Sequence, residues 1–260
     1  NYVISCGHCR PCLEGYDNRC RHRKSIGSEV DGTFAEFVRL PARSVIPMPA
    51  SVPFAWGSIA GCAVSTAFHA VRRSGLQWAD SVAVFGTGGV GLHVVMFAAA
   101  ALPTRLIAVD PLEPRREVAV DFGADDAIDP TEVDAVDAIR EATDGWGADV
   151  GFECSGTTDG MEATVRAIDG QNRFESGTAV SVGAQFEPIQ AEYWGIREGQ
   201  VMVSGDHTRL ELKAVIDLGS NGRVDLSRSI ADRIDLSEIN AGIDRVETDV
   251  SLTGKVIVEP

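Results

Sequence analysis

Near the start of the chain, Cys6, Cys9, Cys12 and Cys20 form a ladder with gaps of two, two and seven residues. Cysteines so closely and evenly spaced strain disulfide geometry and offer no obvious pairing, whereas a compact loop of thiolates suits one tetrahedral ion. An iron–sulfur ladder would bring the fourth cysteine sooner and follow it with proline, but here Arg21 follows Cys20. Structural zinc is therefore the expected occupant. Gly7 permits the bend of the Cys6 to Cys9 knuckle, whose amides can donate to sulfur. Four thiolates close the shell, so His8 reads as an exposed loop side chain.

A second cluster, Gly86-Thr87-Gly88-Gly89-Val90-Gly91, follows the apolar run Ser81 to Phe85 and leads into a helix expected over Val90 to Ala101. In a strand-turn-helix unit, Gly86 allows the sharp turn, Gly88 the approach of a pyrophosphate, and Gly91 close packing of helix on strand. The helix N-terminus, including Gly89 and Val90, supplies unpaired amides to the phosphates. A second buried strand, Arg105 to Val109, ends in Asp110, where a carboxylate can accept from both ribose hydroxyls and would repel a 2′-phosphate. NAD is favoured over NADP. Arg115 and Arg116 complicate that preference, since arginines there can stack on adenine or bind a 2′-phosphate. The plainer reading of Asp110 is a strand-end cap. Lobe and loop together point to a zinc-containing, nicotinamide-dependent oxidoreductase.

Composition narrows the partners. A hydrophobic content of 44% excludes a disordered chain, and a net charge of -15 opposes nucleic acid, because carboxylates repel a phosphate backbone throughout its approach. No run reaches the roughly 18 uninterrupted apolar residues that span a bilayer, so no membrane partner and a cytoplasmic location are expected. The longest apolar stretch, Val94 to Leu102, reads as a buried helix. Around the ladder the charge reverses: Arg10, Arg19, Arg21, Arg23 and Lys24 outnumber Glu14 and Asp17. Those cations are expected to offset the thiolates, a reading compatible with the plainer one of a solvated basic loop.

The elements that must position both clusters alternate. Helices over Glu113 to Phe122, Val133 to Ala142 and Gly160 to Ile168 separate strands at Ala127 to Ile128, Asp149 to Cys154 and Thr178 to Val182. This alternation implies an α/β fold with a doubly wound parallel (Rossmann) sheet. Toward the end, Leu210 to Leu218 has helical spacing and Ile230 to Ile234 reads as a strand.

Several segments resemble the zinc-dependent medium-chain alcohol dehydrogenase family, over nearly the whole chain. Cys6-Gly7-His8-Cys9-Arg10-Pro11-Cys12 with Cys20 is similar to its structural zinc lobe, and Asp31 to Phe37 to a D-G-x-F-A-E-Y strand. Val45 to Pro49 resembles the connection that follows, Gly61 to Ala70 the stretch with a catalytic zinc ligand, and Gly254 to Val258 the last strand. The resemblance implies a GroES-like β-rich catalytic domain, present here as a remnant, around the Rossmann sheet. Residues 1–62 and 206–260 would belong to the former and 63–205 to the latter. It further implies that Cys62 ligates catalytic zinc, Thr66 contacts the nicotinamide, and Val182 and Gly183 line its pocket. From the residues alone Cys62 reads as a small buried thiol, Cys154 as packing beside the cofactor cleft, and His69, His93 and His207 carry no assigned role. The family's other two catalytic zinc ligands precede the lobe and are not in this sequence, so a longer enzyme is expected. The implied activity is oxidation of an alcohol to an aldehyde or ketone with hydride transfer to NAD, by a homodimer or homotetramer acting on small molecules. A zinc-free quinone or enoyl reductase and a non-catalytic NAD-binding fragment are the alternatives.

Overall fold

A computed structural model describes residues 1–168, 177–183, 187–189 and 199–260. In chain order the strands are β1 (Val3–Ile4), β2 (Lys24–Ser25), β3 (Ser81–Phe85), β4 (Arg105–Val109), β5 (Asp126–Ile128), β6 (Val150–Glu153), β7 (Thr178–Ser181), β8 (Gln200–Val203), β9 (Ile230–Asp235) and β10 (Lys255–Glu259). The helices are α1 (Arg10–Leu13), α2 (Phe54–Ile59), α3 (Ser65–Ser74), α4 (Gly91–Ala99), α5 (Glu113–Asp121), α6 (Ala135–Ala142), α7 (Thr158–Ala167), α8 (Arg209–Ser220) and α9 (Ile239–Thr248). They fall into two compact units, Asn1–Ser65 with Asp206–Pro260, and Thr66–Gly205.

The second unit is a six-stranded parallel sheet in the order β5-β4-β3-β6-β7-β8. Order reverses between β3 and β6, the switch point of a doubly wound sheet, and sheets of this kind bind ligands beyond the carboxyl ends of the strands at that point. Both faces are covered, which is why β3 is buried at every position and, after Ser81, apolar throughout instead of alternating. On one face Ala83, Phe85, Ile107 and Val109 pack against Ala135, Val136 and Ile139 of α6 and Ala167 of α7. Asp134 starts α6 by accepting from the Val136 and Asp137 amides. On the other face α4 and α5 pack together over β3 and β4. The apolar stretch Val94 to Leu102 is only partly the buried helix expected from sequence. Helix α4 ends at Ala99, and Leu102 turns outward in a left-handed conformation, 71% exposed.

In the first unit the strands form two separate pairs. Strand β1 pairs antiparallel with β2, and β9 pairs parallel with β10. The ends of the unit are tied together by polar contacts. Asp17 accepts from the Arg209 amide at the start of α8 (3.0 Å), and the Tyr2 hydroxyl and Arg23 guanidinium both donate to Asp206. Helix α8 opens with a capping box in which Thr208 and buried Glu211 bond each other's backbone amides. Residues 31–37, expected as a strand, form none. A strand is defined by its partner, no neighbouring strand pairs with this segment among the described residues, and Phe34 and Phe37 are exposed.

One helical run, Phe54–Ser74, is long and apolar enough to cross a membrane by length and composition. Its Val64, Ala67 and Ala70 are instead fully buried within the protein.

Phe152 is fully buried in the central strand β6. Phe152→Ala is expected to destabilise the chain by about 3–5 kcal/mol in a denaturant titration, the usual consequence of emptying a large aromatic site.

Candidate functional site

The four ladder sulfurs converge. All lie within 4.8 Å of one another, with Cys9 3.4 Å from Cys12, Cys9 3.8 Å from Cys20 and Cys6 4.0 Å from Cys12. Sulfurs about 2.3 Å from a tetrahedral zinc sit roughly 3.8 Å apart, so this set fits the ion, while no pair is near the ~2.05 Å of a disulfide. Gly7 takes φ +80°, which makes the knuckle. The Cys9 amide donates to Cys6 sulfur (3.4 Å), and the Cys6 and His22 amides donate to Cys20 sulfur (3.3 and 3.4 Å). The backbone bond from His8 leads in lowering the Cys6 thiol to about 6, while burial raises Cys12 to about 12. His8 is exposed and stacks on His22. Of the nearby cations, Arg10 pairs with Glu14 on the surface and Arg23 with Asp206.

In the second unit the glycine loop leaves β3 at the switch point. Gly86 takes φ +84°, and its amide donates to the Val109 carbonyl (2.7 Å). A Cβ on Gly91 would lie 1.8 Å from the Gly86 carbonyl oxygen, so only glycine lets α4 start there. At Gly88 the nearest atom to a Cβ would be Arg115 Nη1, 3.7 Å away. Among the described residues, the amides of Gly88, Gly89, Val90 and Gly91 donate to no acceptor. Four open amides at a helix start are a cradle for a diphosphate, and this fits a dinucleotide. His93, buried beneath them, bonds through Nδ1 to the Gly89 carbonyl (2.8 Å) and fixes the turn from inside.

Asp110 ends β4 only 2% exposed. Its Oδ2 accepts from the Thr87 amide (2.8 Å) and hydroxyl (3.2 Å), and its Oδ1 from the Leu112 amide (3.0 Å). The carboxylate thus caps the phosphate loop as well as ending the strand. Arg115, 38% exposed, reaches within 3.9 Å of Oδ2. Arg116 turns away to the Asp110 carbonyl (2.8 Å) and to Asp129 (2.9 Å). Val182 and Gly183 follow β7, and their amides donate to the Glu153 carbonyl (2.8 and 2.9 Å). Cys154 is half-buried against Gly91, where a Cβ would come within 3.1 Å of its own. Burial, and then the Glu153 charge, push its thiol well above the ordinary range.

In the first unit, Cys62 is exposed on a π-helical turn, Ala60–Val64, between α2 and α3. Such a turn adds a residue to the helix and re-aims its side chains, and Ser65 Oγ donates to the Ala60 carbonyl across it (2.6 Å). Cys62 borders a cavity of about 380 Å³ with Phe34, Ser58, Lys255 and Ile257. Desolvation by these walls raises its thiol, with Lys255 pulling the other way. Among the described residues the four lobe cysteines are the one group of three or more metal-ligand side chains, and Cys62 stands outside it. The described residues therefore do not assemble a second metal site around Cys62. Thr66, four residues on, is buried, as are His69 and His207, the latter against the Tyr2 ring.

Sequence reasoning passed over Thr87, His93, Asp17, Asp206 and Glu153. A hydroxyl inside the glycine run, with an acid at the next strand end, was the available signal for Thr87. Asp17 and Asp206 bond across sequence distances that local pattern does not encode, while His93 and Glu153 bond within four residues, in turns that the sequence does not mark.

Residues 1–50 match the alcohol dehydrogenase GroES-like domain and residues 89–218 the zinc-binding dehydrogenase family. A scyllo-inosose 3-dehydrogenase from Thermotoga maritima is 32% identical over 262 residues, covering 96% of this chain and 66% of that protein. An alcohol dehydrogenase from Geobacillus stearothermophilus is 29% identical, over 98% of this chain and 72% of its own length. A crystal structure of a zinc-binding dehydrogenase from Sinorhizobium meliloti bound to NADP superposes with TM-score 0.86 at 29% identity, covering 100% of this chain and 75% of that one. The chain belongs to the zinc-binding, medium-chain alcohol dehydrogenase family, whose cofactors are zinc and NAD(P).

Cys12→Ser is expected to reduce bound zinc from about one ion per chain to well below half, measured by elemental analysis after dialysis, because three thiolates close a tetrahedron poorly.

Proposed function

We propose that the chain works as a zinc-dependent dehydrogenase of alcohols or polyols, forming an aldehyde or ketone with hydride transfer to NAD. The coexistence of a four-thiolate lobe and an open-amide loop at the sheet's switch point carries this reading. Relatives named for alcohol, sorbitol, L-threonine and scyllo-inosose support the substrate class.

Cys6, Cys9, Cys12 and Cys20 hold structural zinc and so stiffen a lobe whose own strands are only two residues long. Gly86, Gly88, Gly89, Val90 and Gly91 seat the diphosphate of the dinucleotide domain assigned to residues 63–205. Asp110, held by Thr87, presents acceptor lone pairs toward the adenosine ribose and disfavours a 2′-phosphate, while Arg115 lies along the adenine side. Thr66, Val182 and Gly183 flank the nicotinamide. Cys62 contributes one thiolate toward catalytic zinc. Bound NAD supplies the hydride acceptor, and a bound zinc supplies Lewis acidity that makes an alcohol easier to deprotonate. The exposed Val201 and Val203 on edge strand β8 support assembly as a homodimer or homotetramer.

The isolation of Cys62 favours one second reading, dinucleotide binding without turnover. Zinc-loaded protein mixed with NAD and ethanol, sorbitol or threonine separates the two by NADH absorbance. Formation of NADH supports the dehydrogenase, and intact NADH binding without turnover supports the second reading. In fluorescence titrations NADH is expected to bind about tenfold tighter than NADPH. Gly91→Ala is expected to weaken NADH binding ~30-fold, about 2 kcal/mol, because the added methyl displaces the cradle.

A further inference from the structure

Glu153 closes β6 with its side chain fully buried. One oxygen, Oε1, accepts from the Ser155 hydroxyl (2.6 Å) and the Gly156 amide (2.8 Å). The other, Oε2, is buried and has no hydrogen-bond partner among the described residues. An acceptor left unsatisfied inside a protein is costly, so its retention asks for a reason.

Its surroundings supply one. A Cβ on Gly183 would lie 2.7 Å from Oε2 and 2.5 Å from the Gly156 amide nitrogen. A Cβ on Gly86 would lie 2.6 Å from the Ser155 amide nitrogen. The turns after β3, β6 and β7 are therefore locked backbone to backbone around this one carboxylate, at the carboxyl ends of the strands. Both of its donors are uncharged, so neither neutralises it. Its field reaches neighbouring groups: after burial itself, Glu153 is the next cause holding the Cys154 thiol protonated.

We propose that Glu153 is a positioning residue that presents a buried negative charge to the nicotinamide half of the dinucleotide site, favouring the oxidised, cationic ring over the neutral reduced one. This rests on the reading that Val182 and Gly183 flank the nicotinamide. Glu153 acts through Gly183 and the Ser155–Gly156 turn and does not touch the ring. A unit charge acting over roughly 10 Å in a medium of effective dielectric near 20 gives a bias of about tenfold.

The test measures dissociation constants of the full chain for NAD+, NADH and ADP-ribose by calorimetry. In Glu153→Gln the constant for NAD+ is expected to rise about tenfold, while those for NADH and ADP-ribose stay within about twofold. Glu153→Asp, which keeps the charge, is expected to retain the wild-type ratio of NAD+ to NADH affinity. Equal weakening of NAD+ and NADH in Glu153→Gln, or no change in either, overturns the proposal by reducing Glu153 to a structural role. Should Glu153→Gln not fold, a tenfold loss of NAD+ affinity relative to NADH in Glu153→Asp overturns it equally. If the wild-type chain binds none of the three ligands, the dinucleotide reading fails and this proposal with it. If all three bind, a failure lies with Glu153 alone.

Discussion

The close approach of the Gly91 backbone to the Gly86 carbonyl governs the second unit. Because no Cβ fits between them, helix α4 can begin directly over the end of β3. Its first amides then have no acceptor among the described residues, while β3 stays buried in the middle of the sheet. The loop is supported from below on two sides, by His93 on the Gly89 carbonyl and by Asp110 on the Thr87 amide. An anion cradle preorganised in this way needs little further ordering when a diphosphate arrives.

The first unit solves a different problem. Its opening lobe has strands of only two residues and so few backbone ladders to hold it, and polar ties to Asp17 and Asp206 join that lobe to the closing segment, where β9 and β10 pair. Four thiolates gathered within one ion's reach complete that arrangement, since metal binding adds directly to the folding free energy of a small lobe.

How much of this was legible follows from how local each signal is. The strands Ser81–Phe85 and Arg105–Val109 declare themselves as short apolar, β-branched runs, and the parallel, doubly wound sheet follows from the alternation of strands with helices. The cysteine ladder is legible because the spacing itself encodes convergence. Residues 31–37 misled because a strand pattern has no meaning without a pairing partner. The π turn at Cys62 has no propensity signature, and the burial of Asp110 depends on a loop more than twenty residues earlier in the chain. Glu153 carries no motif in the sequence, and only the packing of three turns shows its surroundings. The roles given to Cys62, Thr66, Val182 and Gly183 rest on the resemblance and remain part of the proposal.

Amide hydrogen exchange, followed residue by residue with and without NADH, probes the cradle most directly. The account predicts that Gly88 to Gly91 exchange freely in the unliganded chain and become strongly protected when NADH is added. Protection elsewhere with those four amides unchanged would contradict it.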